Sequence, residues 1–133
     1  MENQKFPCKY WTGEDEYETE NLEGDDSRVI MDRVIPFIET AAENSTPFLA
    51  MVWFHTPHAP VRAGPEFRAI YSQYSNPEQH YYGSITAMDE QVGRLNKTVK
   101  ELNIDNNTMI WFCSDNGPAN KNNTAGKTGG LRG

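Results

Sequence analysis

Only two cysteines, Cys8 and Cys113, occur among 133 residues, too few for a disulfide framework or a cysteine-based zinc site. Basic residues are scarce as well: 12 Lys and Arg stand against 19 Asp and Glu, for a net charge of −7. Binding to nucleic acid relies on clustered Lys and Arg that neutralise phosphates, so the balance argues against that partner class. Long apolar runs are missing too, and none approaches the roughly 20 residues that span a bilayer. The opening Met1-Glu2-Asn3-Gln4-Lys5 lacks the apolar stretch of a signal peptide. In an internal piece of a longer protein that lack carries no information about compartment. What is present is core material, 37% hydrophobic and 11% aromatic residues, enough for one modest domain and too much for a disordered tail. Cys113 ends an apolar run and is expected to be a small buried hydrophobe. Asn44, Asn96, Asn106 and Asn122 open glycosylation sequons, which matter only in a secreted eukaryotic protein.

Residues 1–26 form an acidic polar segment. Glu14 to Asp26 hold eight acidic residues and no basic one, which reads as a loop-like solvated surface, and their spacing matches no known calcium loop. From Ser27 the pattern changes. Ile30, Met31, Val34, Ile35, Ile38, Ala41 and Ala42 recur at three- and four-residue steps, one face of a helix, with Asp26 or Ser27 as its cap. Pro36 interrupts the backbone hydrogen bonding there, but the periodicity runs through it, so one kinked helix is expected. Phe48 to Phe54 is an unbroken apolar run, the pattern of a strand buried on both faces of a parallel sheet. A proline-containing loop follows to about Pro77. Tyr81, Ile85, Met88, Val92, Leu95, Val99 and Leu102 then alternate steps of four and three, a core-facing helical stripe. Thr108 to Cys113 reads as a second buried strand, and residues 114–133 as a loop. Strands alternating with helices imply an α/β fold with a mostly parallel sheet.

Both polar motifs follow the predicted strands. His55-Thr56-Pro57-His58-Ala59-Pro60 follows the first, and Ser114-Asp115-Asn116-Gly117-Pro118 the second. In open α/β sheets ligands bind beyond the carboxyl ends of the strands, so two such strands would bring the motifs to one rim. Pro57 and Pro60 restrict the backbone around His58. An imidazole held in this way can donate to an anionic oxygen or move a proton near neutral pH; the other reading is a pair of loop histidines satisfied by water or backbone. Asp115 and Asn116 offer two hard oxygen ligands suited to a divalent cation, or else an Asx turn closed on its own backbone. His80, ahead of the long stripe, is expected at the surface. Ala125-Gly126-Lys127-Thr128 is no phosphate loop, because Lys121 stands where that pattern needs a glycine.

Taken together, these residues resemble the sulfatases of the alkaline-phosphatase-like superfamily. The resemblance is carried by Phe48–Phe54 into His55-x-Pro57-His58-x-Pro60, by Tyr82-Gly-Ser-Ile-Thr-Ala-Met-Asp89-Glu-Gln-Val-Gly93-Arg94-Leu95, by Asn107-Thr108 through Ser114-Asp115-Asn116-Gly117-Pro118, and by Gly130-Leu131-Arg132-Gly133. They stand in the family's order across roughly residues 27–133. The resemblance implies part of a three-layer α/β sandwich and, for residues 27–133, the central part of a catalytic domain truncated at both ends. It implies a sulfuric ester hydrolase acting on a sulfated small molecule or carbohydrate. Asp115 and Asn116 would be two ligands of the family's calcium (Ca2+), and His58 would contact the sulfate group and the leaving-group oxygen. His55 is left as a loop-shaping residue, and Asp89 and Arg94 as parts of the helix.

The family's nucleophile is a formylglycine made within a Cys/Ser-x-Pro-x-Arg motif. None occurs here, since Cys8 is followed by Lys9-Tyr10-Trp11, so the nucleophile is expected on a missing upstream residue. Asp25-Asp26 are not expected to replace the family's upstream paired aspartates, nor Lys127 its second active-site lysine. The isolated chain is accordingly expected to be inactive. A phosphodiesterase or phosphonate hydrolase of the same superfamily, or a non-catalytic remnant, remains an alternative. Periplasmic, secreted and lysosome-like settings all suit a full-length parent.

Overall fold

A computed structural model describes residues 10–11, 17–18, 24–118, 125–127 and 129–130. Cys8, most of the acidic strip 14–23, Asn122, Thr128 and Leu131-Arg132-Gly133 lie outside the described residues. The 17-residue helix α1, Ser27–Glu43, runs unbroken through Pro36, as its periodicity predicts. Its start is not capped as expected: Asp26 makes no capping bond, and it is Asp25 Oδ2 that accepts from the Ser27 N–H at 2.9 Å. At its other end Ser45 takes a left-handed φ of 52°. Ser45 N donates to Ala42 O at 3.0 Å and Thr46 N to Ala41 O at 2.8 Å, the paired bonds of a Schellman ending.

The short helix α2, Pro65–Ala69, lies inside the segment expected to be a loop. Pro65 opens it with a preset φ and no N–H to satisfy. The 26-residue helix α3, Asn76–Glu101, begins at a box in which the Glu78 carboxylate accepts from both the N–H and the hydroxyl of Ser75. It ends as α1 does, with Asn103 at φ 56° and Ile104 N donating to Val99 O at 3.2 Å. A single 3-10 turn, Asp105–Asn107, follows.

α1 and α2 both pack on α3. Val29, Met31, Ile35, Ile38 and Ala41 of α1 form the core with Ala63, Ala87 and Val99. Asp32 of α1 accepts from Arg94 Nη1 of α3 at 2.5 Å, a part-exposed ion pair that bridges the two helices beside this core. The buried line of α3 is Gly83, Ser84, Ala87, Gln91 and Val99, a correction to the expected stripe. Tyr81, Ile85, Met88, Val92, Leu95 and Leu102 are only half-buried. Small residues take the contact because they let the other elements approach closely: a Cβ on Gly83 would lie 2.9 Å from the Ala63 Cβ.

The expected parallel sheet is not present among the described residues. Their only ladder is an antiparallel pair, β1 (Tyr10–Trp11) with β2 (Tyr17–Glu18), set within the segment expected to be loop-like. Runs 48–54 and 108–113 carry no helical or sheet hydrogen bonding. The first is anchored by Phe48, whose ring meets that of Phe37 edge-on at 6.0 Å. Phe48, Val52 and Phe54 are half-buried, whereas Leu49, Met51 and Trp53 are 83%, 70% and 79% exposed. Met109 and Trp111 are likewise 87% and 82% exposed, and Cys113 is exposed rather than buried. The reason is physical: apolar residues on both faces call for cover on both faces, and the described residues supply helices but no neighbouring strand.

Candidate functional site

The loop after the first apolar run is built on Asp26, whose side chain is wholly buried. Its Oδ2 accepts from the His55 N–H at 2.8 Å and lies 2.9 Å from His55 Nδ1. Its Oδ1 accepts from Thr56 Oγ1 at 3.1 Å. A carboxylate oxygen only accepts, so His55 Nδ1 carries the proton. The loop then closes on itself, His58 N donating to His55 O at 2.6 Å. The Thr56–Pro57 and Ala59–Pro60 peptide bonds are both cis.

His58 is exposed, and its Nδ1 lies 2.6 Å from its neighbour's carbonyl, Ala59 O. A carbonyl also only accepts, so Nδ1 carries the proton and Nε2 is the edge available to a ligand. This ring is therefore oriented before anything binds.

Asp115 and Asn116 lie on an exposed turn. Asp115 Oδ1 accepts from Asn116 N at 2.8 Å, Asn116 Nδ2 donates to Gly117 O at 2.7 Å, and Ser114 Oγ donates to Asn116 O at 2.6 Å. Those bonds occupy one Asp115 oxygen and the amide nitrogen of Asn116. Asp115 Oδ2 and Asn116 Oδ1 remain, both hard donors suited to calcium, which takes six to eight such oxygens. The pair thus fits part of a calcium shell without completing one. Among the described residues no group of three or more His, Cys, Asp or Glu could hold a metal ion. No hydrogen bond or ion pair there joins His58 to Asp115 or Asn116. A cavity of ≈ 350 Å³ opens elsewhere, lined by Asp25, Arg28, Glu66, Phe67, Glu90 and Gln91 among others, and by none of these three residues.

Sequence reasoning missed two polar anchors. Asp26 looked like a helix cap, and nothing in the spacing showed that it serves a loop 29 residues away. His80 is half-buried rather than at the surface. Its Nδ1 accepts from Ala63 N at 3.1 Å while Arg68 Nη1 stands 3.2 Å from Nε2. Burial first, then the charges of Arg68 and Arg62, hold its pKa below the ordinary 6.5. Because Nδ1 accepts, Nε2 carries the ring proton, so the ring ties α3 to Ala63 ahead of α2 and only abuts the Arg68 guanidinium.

The chain was compared with known proteins. The Sulfatase family model matches residues 1–131, which takes in the acidic segment as well. An ulvan-active sulfatase of Formosa agariphila is 36% identical over 98 residues, 61% of this chain and 19% of that protein. Arylsulfatase G of Rattus norvegicus is 33% identical over 105 residues, 77% of this chain and 18% of the relative. The N-acetylgalactosamine-6-sulfatase of the same species is 28% identical over 116 residues, 87% and 20%. The chain spans about a fifth of the length of these curated relatives. No solved structure matches it significantly. The family match over almost the whole chain and the arylsulfatase G similarity together show that this chain belongs to the sulfatase family.

Proposed function

We propose that these residues form one edge of the active site in a sulfatase catalytic domain, an α/β three-layer sandwich whose mostly parallel sheet includes runs 48–54 and 108–113. The enzyme hydrolyses sulfate esters. A sulfated carbohydrate suits the reading, since one relative is named for the sugar N-acetylgalactosamine. The observation that carries it is His58, an exposed imidazole whose ring is fixed through Nδ1 on Ala59 O at 2.6 Å, in a chain that matches the family from residue 1 to 131.

His58 presents Nε2 to the sulfuryl group. In this reading a hydroxyl oxygen of the nucleophile, which this chain does not supply, would bond to sulfur as the ester sulfur–oxygen bond breaks. The electron pair of the broken bond would go to the alcohol oxygen, and a His58 carrying protons on both ring nitrogens would give that oxygen its proton through Nε2. Asp115 and Asn116 would hold the calcium ion, which when bound supplies positive charge to neutralise the sulfate oxygens. The nucleophile in this reading is a formylglycine, and no residue of this chain has the Cys/Ser-x-Pro-x-Arg context that makes one.

The experiment compares aryl sulfate with aryl phosphate diester in the full-length enzyme that carries this segment. The expected result is a kcat/KM for the sulfate at least about tenfold higher, roughly 1.4 kcal/mol of transition-state preference. A preference for the diester would make it a phosphodiesterase built on the same scaffold. Turnover of neither would mark a non-catalytic member of the family.

A further inference from the structure

We infer that Asp26 is the positioning residue of the His55–His58 loop, and that His58 depends on it for its working orientation. This rests on the reading of His58 given above. Asp26 sits at the start of α1, yet its side chain makes no bond to the helix. Both carboxylate oxygens face the loop instead and take the His55 N–H, the His55 Nδ1 proton and the Thr56 hydroxyl at 2.8, 2.9 and 3.1 Å. A wholly buried carboxylate is costly unless its lone pairs are satisfied, and these are met by charge-assisted bonds from two consecutive residues. The first turn of α1 adds the positive end of its dipole.

The bonds fix backbone, ring and hydroxyl at the point where the apolar run ends, so the direction in which the loop leaves is set there. One further bond, His58 N to His55 O at 2.6 Å, passes that constraint to His58, whose Nδ1 is then taken by Ala59 O. From Asp26 to the His58 backbone the constraint runs through main-chain groups, the His55 N–H and C=O and the His58 N–H. Neighbouring Asp25 has a separate task, accepting from Ser27 N at 2.9 Å. Of the two adjacent aspartates, one starts the helix and the other holds the loop.

Two measurements test the inference. In this chain, nitrogen-15 NMR of the histidine rings reports the tautomer directly. The wild type should show His55 as the Nδ1–H form, and Asp26→Ala should move it toward the Nε2–H form that free imidazole favours. A wild-type His55 in the Nε2–H form would overturn the clamp itself. In the full-length enzyme, Asp26→Ala should lower kcat by about 10- to 100-fold with KM within about threefold, the range for removing a group that orients a functional histidine.

Asp26→Asn keeps the shape, and its amide can still accept from His55 while donating to the Thr56 hydroxyl. It should recover most of the lost kcat, and it covers the case in which the alanine variant does not fold. Unchanged kcat in Asp26→Ala, or an Asn variant that folds and remains as slow as alanine, would overturn the positioning role. If His58→Ala leaves turnover intact while the NMR result holds, the clamp stands and the functional reading of His58 fails.

Discussion

Two glycines of α3 form a matched pair. Gly83→Ala and Gly93→Ala each replace glycine in a helix interior, where alanine is favoured by about 0.5–1 kcal/mol. At Gly93 an added Cβ meets nothing within 4 Å, so the whole gain should appear. At Gly83 it would lie 2.9 Å from the Ala63 Cβ and 3.2 and 3.3 Å from backbone atoms of Phe67 and Arg68. Carbon atoms rest at about 3.5–4.0 Å, so α2 and the residue leading into it must move back. They are tied to α3 by the Ala63–His80 bond of 3.1 Å and by the Tyr71–Thr86 hydroxyl pair at 2.7 Å. Overpacking of this kind costs about 1–3 kcal/mol. Gly83→Ala should therefore end roughly 0–2 kcal/mol less stable than the parent after the propensity gain. The gap between the two variants should be about 1–3 kcal/mol. Urea unfolding followed by far-UV circular dichroism measures it, with the m value required to stay constant. Equal stabilisation by both substitutions would refute the close packing of α2 on α3.

At the end of α1, Ser45 holds a φ of 52°, which costs a residue with a Cβ about 1 kcal/mol; Ser45→Gly should raise stability by about 0.5–1 kcal/mol in the same assay, and a loss would contradict the left-handed ending. Burial, and to a lesser degree the adjacent Asp26, raise the Asp25 pKa above its ordinary 3.8 against the Ser27 bonds that lower it. Between that value and the raised one the folded chain keeps a proton that the unfolded chain has released, so stability falls as pH rises through the window. Asp25→Asn, which can still accept from Ser27 N, should melt higher than the parent at neutral pH and lose that decline; a parent that gains stability across the window from this group would oppose the argument. On the proposed reading Asp115 and Asn116 are the two calcium ligands among the described residues, so calcium should bind this chain with a Kd on the order of millimolar or weaker. Its addition should shift the backbone amides of 114–117 in the parent and not in Asp115→Asn; equal shifts in both would remove Asp115 from the site.

Helical order was legible because α1 and α3 announce themselves through spacing. Met31, Ile35, Ile38 and Ala41 are read correctly as core, and Pro36 does not divide the helix. The face of α3 was misread by a small rotation. Hydrophobic size points to Ile85 and Met88, but closeness of approach selects Gly83, Ser84 and Ala87, and a rule that counts apolar residues does not weigh smallness. α2 stayed hidden among prolines, one of which in fact opens it. For runs 48–54 and 108–113 the sequence states the need for cover on both faces but not where that cover comes from. At the candidate site the residue types were readable, since His58, Asp115 and Asn116 stand on turns next to apolar runs. The buried partner was not, because an Asp at a helix start carries a local explanation that hides its bonds to His55 and Thr56.

The central claim is that His58 touches the sulfuryl group during cleavage. The most direct measurement is kcat/KM for an aryl sulfate in the full-length enzyme that carries this segment, compared between the parent and His58→Ala, with calcium present and folding verified by circular dichroism. Loss of a positioned proton donor predicts a fall of about 10²- to 10⁴-fold. A His58→Ala enzyme that folds normally and stays within about threefold of the parent would contradict the account, because a general acid contributes far more than that.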